Sequence, residues 1–151
     1  MKLRELSGSD LPALMDLYAH LHDNDVPQPA PQVVAAVWDA IQHNDAIRYF
    51  GVFAESKLLA SCTIAIIPNL TRGCASYGVI ENVVTHKQHR GQGHGTAVLE
   101  AALDFAWERQ CYKVMLMTGR LDEGTFSFYQ KAGFKRHEKE AFVAKPADKR
   151  Q

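Results

Sequence analysis

A chain of 151 residues, of which 46% are hydrophobic and 23% are charged, has the size and composition of one globular domain. Its 17 lysines and arginines are balanced by 17 aspartates and glutamates. This balance argues against general binding to nucleic acids or to a membrane surface, both of which favour a strongly basic chain.

The three cysteines, Cys62, Cys74 and Cys111, are scattered and form no CxxC motif. An odd number without a pairing pattern favours free thiols in a reducing compartment over a disulfide framework. The opening residues, MKLRELSGSDLP, are charged and do not resemble a signal peptide, and no apolar run approaches the roughly 18–20 residues that span a bilayer. We therefore expect a cytoplasmic protein.

Hydrophobic periodicity predicts two helices and four strands in the first half of the chain. The first helix is capped by Ser9 or Asp10 and has Pro12 in its first turn, and a proline-rich loop over residues 23–31 separates it from the second. The second helix covers residues 31–42, and the strands are residues 1–6, 46–55, 56–67 and 76–85, which are mostly rich in β-branched and aromatic side chains.

The second half begins with a glycine-rich loop that leads into an amphipathic helix. The predicted buried stripe of this helix consists of Val98, Leu99, Ala102, Leu103, Ala106 and Trp107. Residues 112–118 are predicted as a central strand, residues 122–133 as a short helix and residues 134–145 as a closing strand or strands. The order predicts a single α/β domain over residues 1–151, with a mixed, mostly antiparallel sheet flanked by about four helices.

The glycine loop does not have the character of a metal site. His86, His89 and His94 could ligate zinc, but Lys87 and Arg90 lie among them and no cysteine or carboxylate is near in sequence. Fixed positive charges oppose the binding of a dication. We therefore predict no metal.

The loop also departs from the common nucleotide motifs. Gly91, Gly93 and Gly95 follow GxGxG rather than GxGxxG, the GK[ST] ending is missing, and no acidic residue follows the next strand to hold a ribose. Taken alone, the glycines are also compatible with a simple turn from a strand into a helix.

A phosphate cradle is the interpretation that remains. Glycines before a helix leave several backbone N–H groups unpaired and allow a ligand to approach the main chain, and the helix dipole adds positive potential there. Arg90 stands at the loop entrance as a forked donor for phosphate oxygens. Such a site suits a pyrophosphate without Mg²⁺.

Two motifs resemble those of the GNAT acetyltransferase superfamily. Residues 90–95, RGQGHG, match its R/Q-x-x-G-x-G/A motif, and residues 125–136, TFSFYQKAGFKR, resemble its second signature, F-Y-x-x-x-G-F, in the same order. The resemblance is closest over residues 76–136. It implies a GNAT-like sheet that splays between strands ending near Thr85 and Thr118, with acetyl-coenzyme A (acetyl-CoA) in the gap, and acetyl transfer to an amine.

The resemblance also implies roles for individual residues. The pantetheine arm of acetyl-CoA would lie along Val83, Val84 and Thr85, with the N–H of Val84 facing the acetyl carbonyl. The pyrophosphate would be held by Arg90, Gly91, Gln92, Gly93, His94, Gly95 and Thr96. Tyr129 would contact the cofactor and act as the general acid for the departing thiolate, because a phenol is protonated at neutral pH; membership of an aromatic core cluster is the alternative.

Glu81 is the candidate general base. Strict alternation places Glu81, Val83 and Thr85 on one face of the strand and Ile80, Asn82 and Val84 on the other. A carboxylate in an apolar strand is costly to bury unless it is paired or functional, and a carboxylate that merely binds a cationic substrate is the alternative. This strand is also similar to that of the glucosamine-6-phosphate N-acetyltransferases, which carry an acidic pair where Glu81 and Asn82 stand.

The expected acceptor is the primary amine of a small molecule, and a homodimer is compatible with the resemblance. Two other functions stay open at this point. One is acetylation of a protein lysine or N-terminus, and the other is non-catalytic sensing of acyl-CoA.

Overall fold

Five strands form one sheet in which each strand lies beside its neighbours in sequence. In the computed structural model, which describes residues 1–147, the strands are β1 (Lys2–Glu5), β2 (Ile47–Ala54), β3 (Lys57–Ile67), β4 (Tyr77–Thr85) and β5 (Val114–Leu116). The pairings from β1 to β4 are antiparallel, and β4 pairs with β5 in parallel. The prediction of a mixed, mostly antiparallel sheet is confirmed.

Four helices occur among the described residues: α1 (Leu11–Tyr18), α2 (Pro31–Gln42), α3 (His94–Glu108) and α4 (Glu123–Lys131). The chain divides into two compact units, Met1–Leu116 and Met117–Gln151, so that α4 belongs to the second unit and the whole sheet to the first. A single domain over residues 1–151 stays a prediction. No helix within the described part of the chain is both long and apolar enough to cross a membrane.

Helices cover both faces of the sheet in the first unit. The α1 and α2 face is filled by a cluster of Leu6, Leu14, Leu17, Trp38, Phe53, Leu58 and Val84. On the other face, α3 buries Val98, Leu99, Ala102 and Ala106, and the thiol of Cys62 on β3 donates to the carbonyl of Val98 at 3.2 Å. The predicted stripe is correct at these four positions, whereas Leu103 is only half-buried and Trp107 in the last turn of α3 is 48% exposed.

The predicted closing strand over residues 134–145 is wrong, since those residues contain no strand. Phe142 and Val143 are largely exposed, and their segment is rich in charged residues. A β-branched or aromatic residue favours a strand only where it can pack against a neighbouring strand, and the described part of the second unit contains no other strand.

Candidate functional site

A β-bulge interrupts β4 at the predicted site. Thr63 of β3 lies opposite Glu81, and Ser61 lies opposite Val84. One residue of β3 between these pairs therefore faces two residues of β4, Asn82 and Val83. Asn82 takes up the extra residue with a φ of +53°, a left-handed conformation that asparagine tolerates better than most residues. The interpretation from strict alternation is therefore wrong, because the bulge places Glu81 and Val84 on the same face of the sheet.

That shared face is the one covered by α1. The side chain of Val84 is 3% exposed and belongs to the core cluster, whereas Glu81 is exposed. The carboxylate of Glu81 is thus at the surface, whereas the side chain of Val84 is part of the hydrophobic core.

The main chain of Val84 also has a structural partner. The N–H of His86 donates to the carbonyl of Leu59 on β3 at 2.8 Å. Hydrogen-bonded pairs recur at every second residue of an antiparallel ladder, so the N–H of Val84 points towards Ser61 of β3. The predicted assignment of the oxyanion donor to Val84 is therefore corrected.

Val83 and Thr85, which flank Val84, direct their main-chain groups away from β3 by the same alternation. On that side of β4, the pairing with β5 covers only three residues and ends at Ile80 opposite Leu116. The segment from Glu81 to Thr85 therefore extends past the last β4–β5 pair, as the predicted splay requires.

The glycine loop follows β4 after the short turn Lys87–His89. Gly91 and Gly93 have φ angles of +73° and +84°, and Gly93 is the residue before α3. The first helical bond runs from the N–H of Ala97 to the carbonyl of Gly93 at 3.0 Å, and no side chain caps the helix. The N–H groups of the first turn, from His94 onwards, are thus left for another partner.

Arg90 lies at the entrance of this loop and is exposed. Its guanidinium donates two long hydrogen bonds, each 3.4 Å, to the carbonyls of Thr85 and His20. These bonds connect the end of β4 to the residues after α1. A guanidinium has five N–H groups, so Arg90 keeps donors for an anion.

The remaining loop residues divide by exposure. Gln92 is exposed, Thr96 is half-buried, and His94 and Gly95 are buried. The His94 ring contacts the side-chain oxygen of Gln92 at 3.3 Å. His94 is therefore placed to serve a ligand through its main-chain N–H rather than through its imidazole.

Tyr129 lies in the second unit, on α4. The helix is capped by Asp122, which accepts a hydrogen bond from the N–H of Thr125 at 2.8 Å. Tyr129 is half-buried, with its ring 4.9 Å from that of Phe128 and 6.3 Å from that of Phe134. Of the core cluster of Phe126, Phe128 and Tyr129 considered from the sequence, the contact between Phe128 and Tyr129 is present, but no residue of α4 is fully buried. The role of Tyr129 as an acid stays a prediction.

Two features of the site could not be seen as motifs in the sequence. One is the bulge at Asn82, for which the single signal is an asparagine inside an apolar strand. The other is a contact between His20 and His86, whose rings lie 4.0 Å apart although the residues are distant in sequence. Within residues 1–147, no group of three or more histidine, cysteine or acidic side chains could hold a metal ion.

The sheet, the extended β4 edge and the glycine loop define an acyltransferase. A profile of the acetyltransferase (GNAT) family matches residues 11–134, and the chain belongs to that family. It is thereby an acetyl-CoA-dependent N-acetyltransferase.

Relatives along nearly the whole chain support the assignment. A glucosamine 6-phosphate N-acetyltransferase of Trypanosoma brucei brucei is 30% identical over 141 residues, which cover 93% of this chain and 92% of the relative. A putative acetyltransferase from Agrobacterium tumefaciens is 36% identical with a TM-score of 0.89, covering 96% of this chain and all of that one. The glucosamine-6-phosphate N-acetyltransferase of Arabidopsis thaliana is 25% identical with a TM-score of 0.84, covering 97% and 98%.

GNAT acetyltransferases use acetyl-CoA. The glycine loop has the open space and the donors that the pyrophosphate of this cofactor would need. A Cβ atom added at Gly91 or Gly93 would meet no atom within 4 Å, so there is open space next to the loop at both glycines. The uncapped first turn of α3 and the guanidinium of Arg90 supply donors next to that space.

Proposed function

We propose that the protein moves the acetyl group of acetyl-CoA to a primary amine of a small molecule by direct attack. The observation that carries this proposal is the joining of the extended β4 edge to an uncapped glycine loop at the start of α3. The relatives from Trypanosoma brucei brucei and Arabidopsis thaliana that act on glucosamine 6-phosphate support a small-molecule acceptor.

Main-chain groups would hold the cofactor. The residues from Arg90 to Thr96 would bind the pyrophosphate, and the open edge of β4 at Val83 and Thr85 would hold the pantetheine arm. Bound acetyl-CoA supplies an activated thioester. Because the N–H of Val84 points to β3, the donor for the developing oxyanion is the N–H of either Val83 or Thr85, and the other of these two residues pairs with the pantetheine arm.

Side chains would move the protons. Glu81 is exposed beside this edge and would take the amine proton, directly or through water. Tyr129 would donate its phenolic proton to the departing sulfur, since a phenol is protonated at neutral pH.

The test is turnover with a panel of amines that includes glucosamine 6-phosphate, followed as release of the coenzyme A thiol. Glu81→Gln and Tyr129→Phe should each lower kcat by at least about tenfold while leaving the Kd of acetyl-CoA nearly unchanged, because general acid–base catalysis typically contributes about 10²–10⁴-fold. Glu100→Gln, on the exposed face of α3, is the matched control for Glu81 and should behave as the parent.

The same assay separates the alternatives. Turnover with peptides but with no small amine would identify a protein acetyltransferase. Tight binding of acetyl-CoA without turnover of any amine or peptide would identify a sensor, and parental rates in both variants would remove Glu81 and Tyr129 from the mechanism.

A further inference from the structure

A cleft of about 200 Å³ lies beside the glycine loop. It is bounded by the end of α1, the turn between β2 and β3, and the residue that follows β4. Its polar lining consists of Asp16, His20, Ser56, Lys57 and His86, and its floor is apolar. The catalytic scheme proposed above uses none of these side chains.

The main chain fixes which nitrogen of each imidazole is a donor. Nδ1 of His20 accepts the N–H of Lys87 at 3.4 Å, and Nδ1 of His86 accepts the N–H of Gln88 at 3.2 Å. A backbone N–H can only donate, so each neutral ring carries its own hydrogen on Nε2. The cleft therefore has two imidazole donors that need no protonation.

Lys57 supplies the fixed positive charge of the cleft. Lys57 forms no ion pair within the described residues, whereas Lys87 is paired with Asp23 at 3.4 Å. Partial burial and then the nearby His20, Lys57 and His89 lower the pKa of His86, which favours the neutral form of its ring. Asp16 is the opposing charge, a carboxylate that also lines the cleft and weakens anion binding.

The cleft and the glycine loop are connected through the same structural elements. The turn Lys87–His89 leads directly into Arg90, and the guanidinium of Arg90 donates to the carbonyl of His20. A group bound in the cleft would thus lie next to the pyrophosphate cradle. The substrates of the acetyl transfer itself are the natural sources of such a group.

We propose that this cleft is a second phosphate site, which binds a phosphate monoester through Lys57 and the Nε2–H groups of His20 and His86. The hydroxyl of Ser56 lies in the turn beside Lys57 and completes the set of donors. The monoester belongs either to the 3′-phosphate of coenzyme A or to a phosphate on the acceptor. The inference rests on geometry outside the transfer chemistry, so it can fail while the proposed function stands.

The first test is calorimetric titration of the full chain with inorganic phosphate. Lys57→Ala should weaken phosphate binding by at least about tenfold, since it removes the fixed positive charge. Asp16→Asn should strengthen binding, because it removes the opposing charge, and Lys57→Arg should largely restore it. Lys113→Ala, at the opposite end of β4, is the control for a change in net charge alone.

The second test identifies the source of the phosphate. If Lys57→Ala weakens coenzyme A but not 3′-dephospho-coenzyme A, the site takes the 3′-phosphate. If it raises the KM of a phosphorylated amine but not of its unphosphorylated form, the site takes the acceptor. Equal effects of Lys57→Ala and Lys113→Ala, or no effect on any of these ligands, would overturn the proposal. Turnover of a small amine by the parent protein would show that the proposed function stands in that case.

Discussion

Gly93 is the residue at which cofactor binding by the glycine loop can be tested with the least disturbance to the rest of the fold. Its φ of +84° is left-handed, and an added Cβ would meet no atom within 4 Å. Gly93→Ala should therefore cost only backbone strain, about 1–2 kcal/mol in the free energy of unfolding. The new methyl group lies on the surface that would face the pyrophosphate, so we expect the Kd of acetyl-CoA to rise at least about tenfold, or about 1.4 kcal/mol.

Gly73 provides the matched control for this prediction. Its φ is +66°, its Cβ position is equally open, and it lies in the turn before β4, at the end of that strand away from the loop. Urea unfolding should show similar losses of stability for Gly73→Ala and Gly93→Ala, whereas calorimetry should show a loss of acetyl-CoA affinity for Gly93→Ala alone. Equal affinities of the two variants, whether reduced or parental, would refute the reasoning about the loop.

Three further predictions concern the bulge, the N-terminal ion pair and the thiols. Asn82→Gly should keep the fold and turnover, whereas Asn82→Val should lose both stability and turnover, because a β-branched residue is strained at a φ of +53°; equal rates for the two would contradict a role for the bulge. Asp10 accepts two hydrogen bonds from Arg4, at 2.7 and 2.9 Å, which hold the pKa of its carboxyl well below the usual range. Asp10→Asn should therefore lower the free energy of unfolding by about 1–3 kcal/mol at pH 7. Urea unfolding should show this difference between the variant and the parent shrinking as the pH falls below about 4, because the carboxylate of Asp10 becomes protonated. A difference in the free energy of unfolding that persists at low pH would show that the charge is not responsible. Burial raises the pKa of Cys62 to about 12 and Cys74 is exposed, so a thiol reagent should modify Cys74 rapidly in the native protein and Cys62 only after unfolding; fast native labelling of a Cys74→Ser variant would contradict this.

The elements with strong local signals could be predicted from the sequence. The apolar stripe of α3 and the left-handed glycines before it follow from helical periodicity and from the conformational freedom of glycine, so the glycine loop and the helix after it are recognisable without a structure. The three long strands likewise have enough β-branched and aromatic residues to be recognised.

The features that the sequence did not predict depend on partners distant in the chain. The bulge at Asn82 is defined by the register against Thr63 and Ser61, and that register changed which face Glu81 shares. The direction of the Val84 N–H depends on the same ladder. Residues near 142 have the composition of a strand but are exposed, and local preference alone does not make a strand.

The central claim, that the glycine loop binds acetyl-CoA, is tested most directly by calorimetric titration of the purified protein with acetyl-CoA, NAD and ATP in the absence of added metal. We predict micromolar binding of acetyl-CoA and no measurable binding of NAD or ATP. No binding of acetyl-CoA, or a preference for either nucleotide, would contradict the account of the loop.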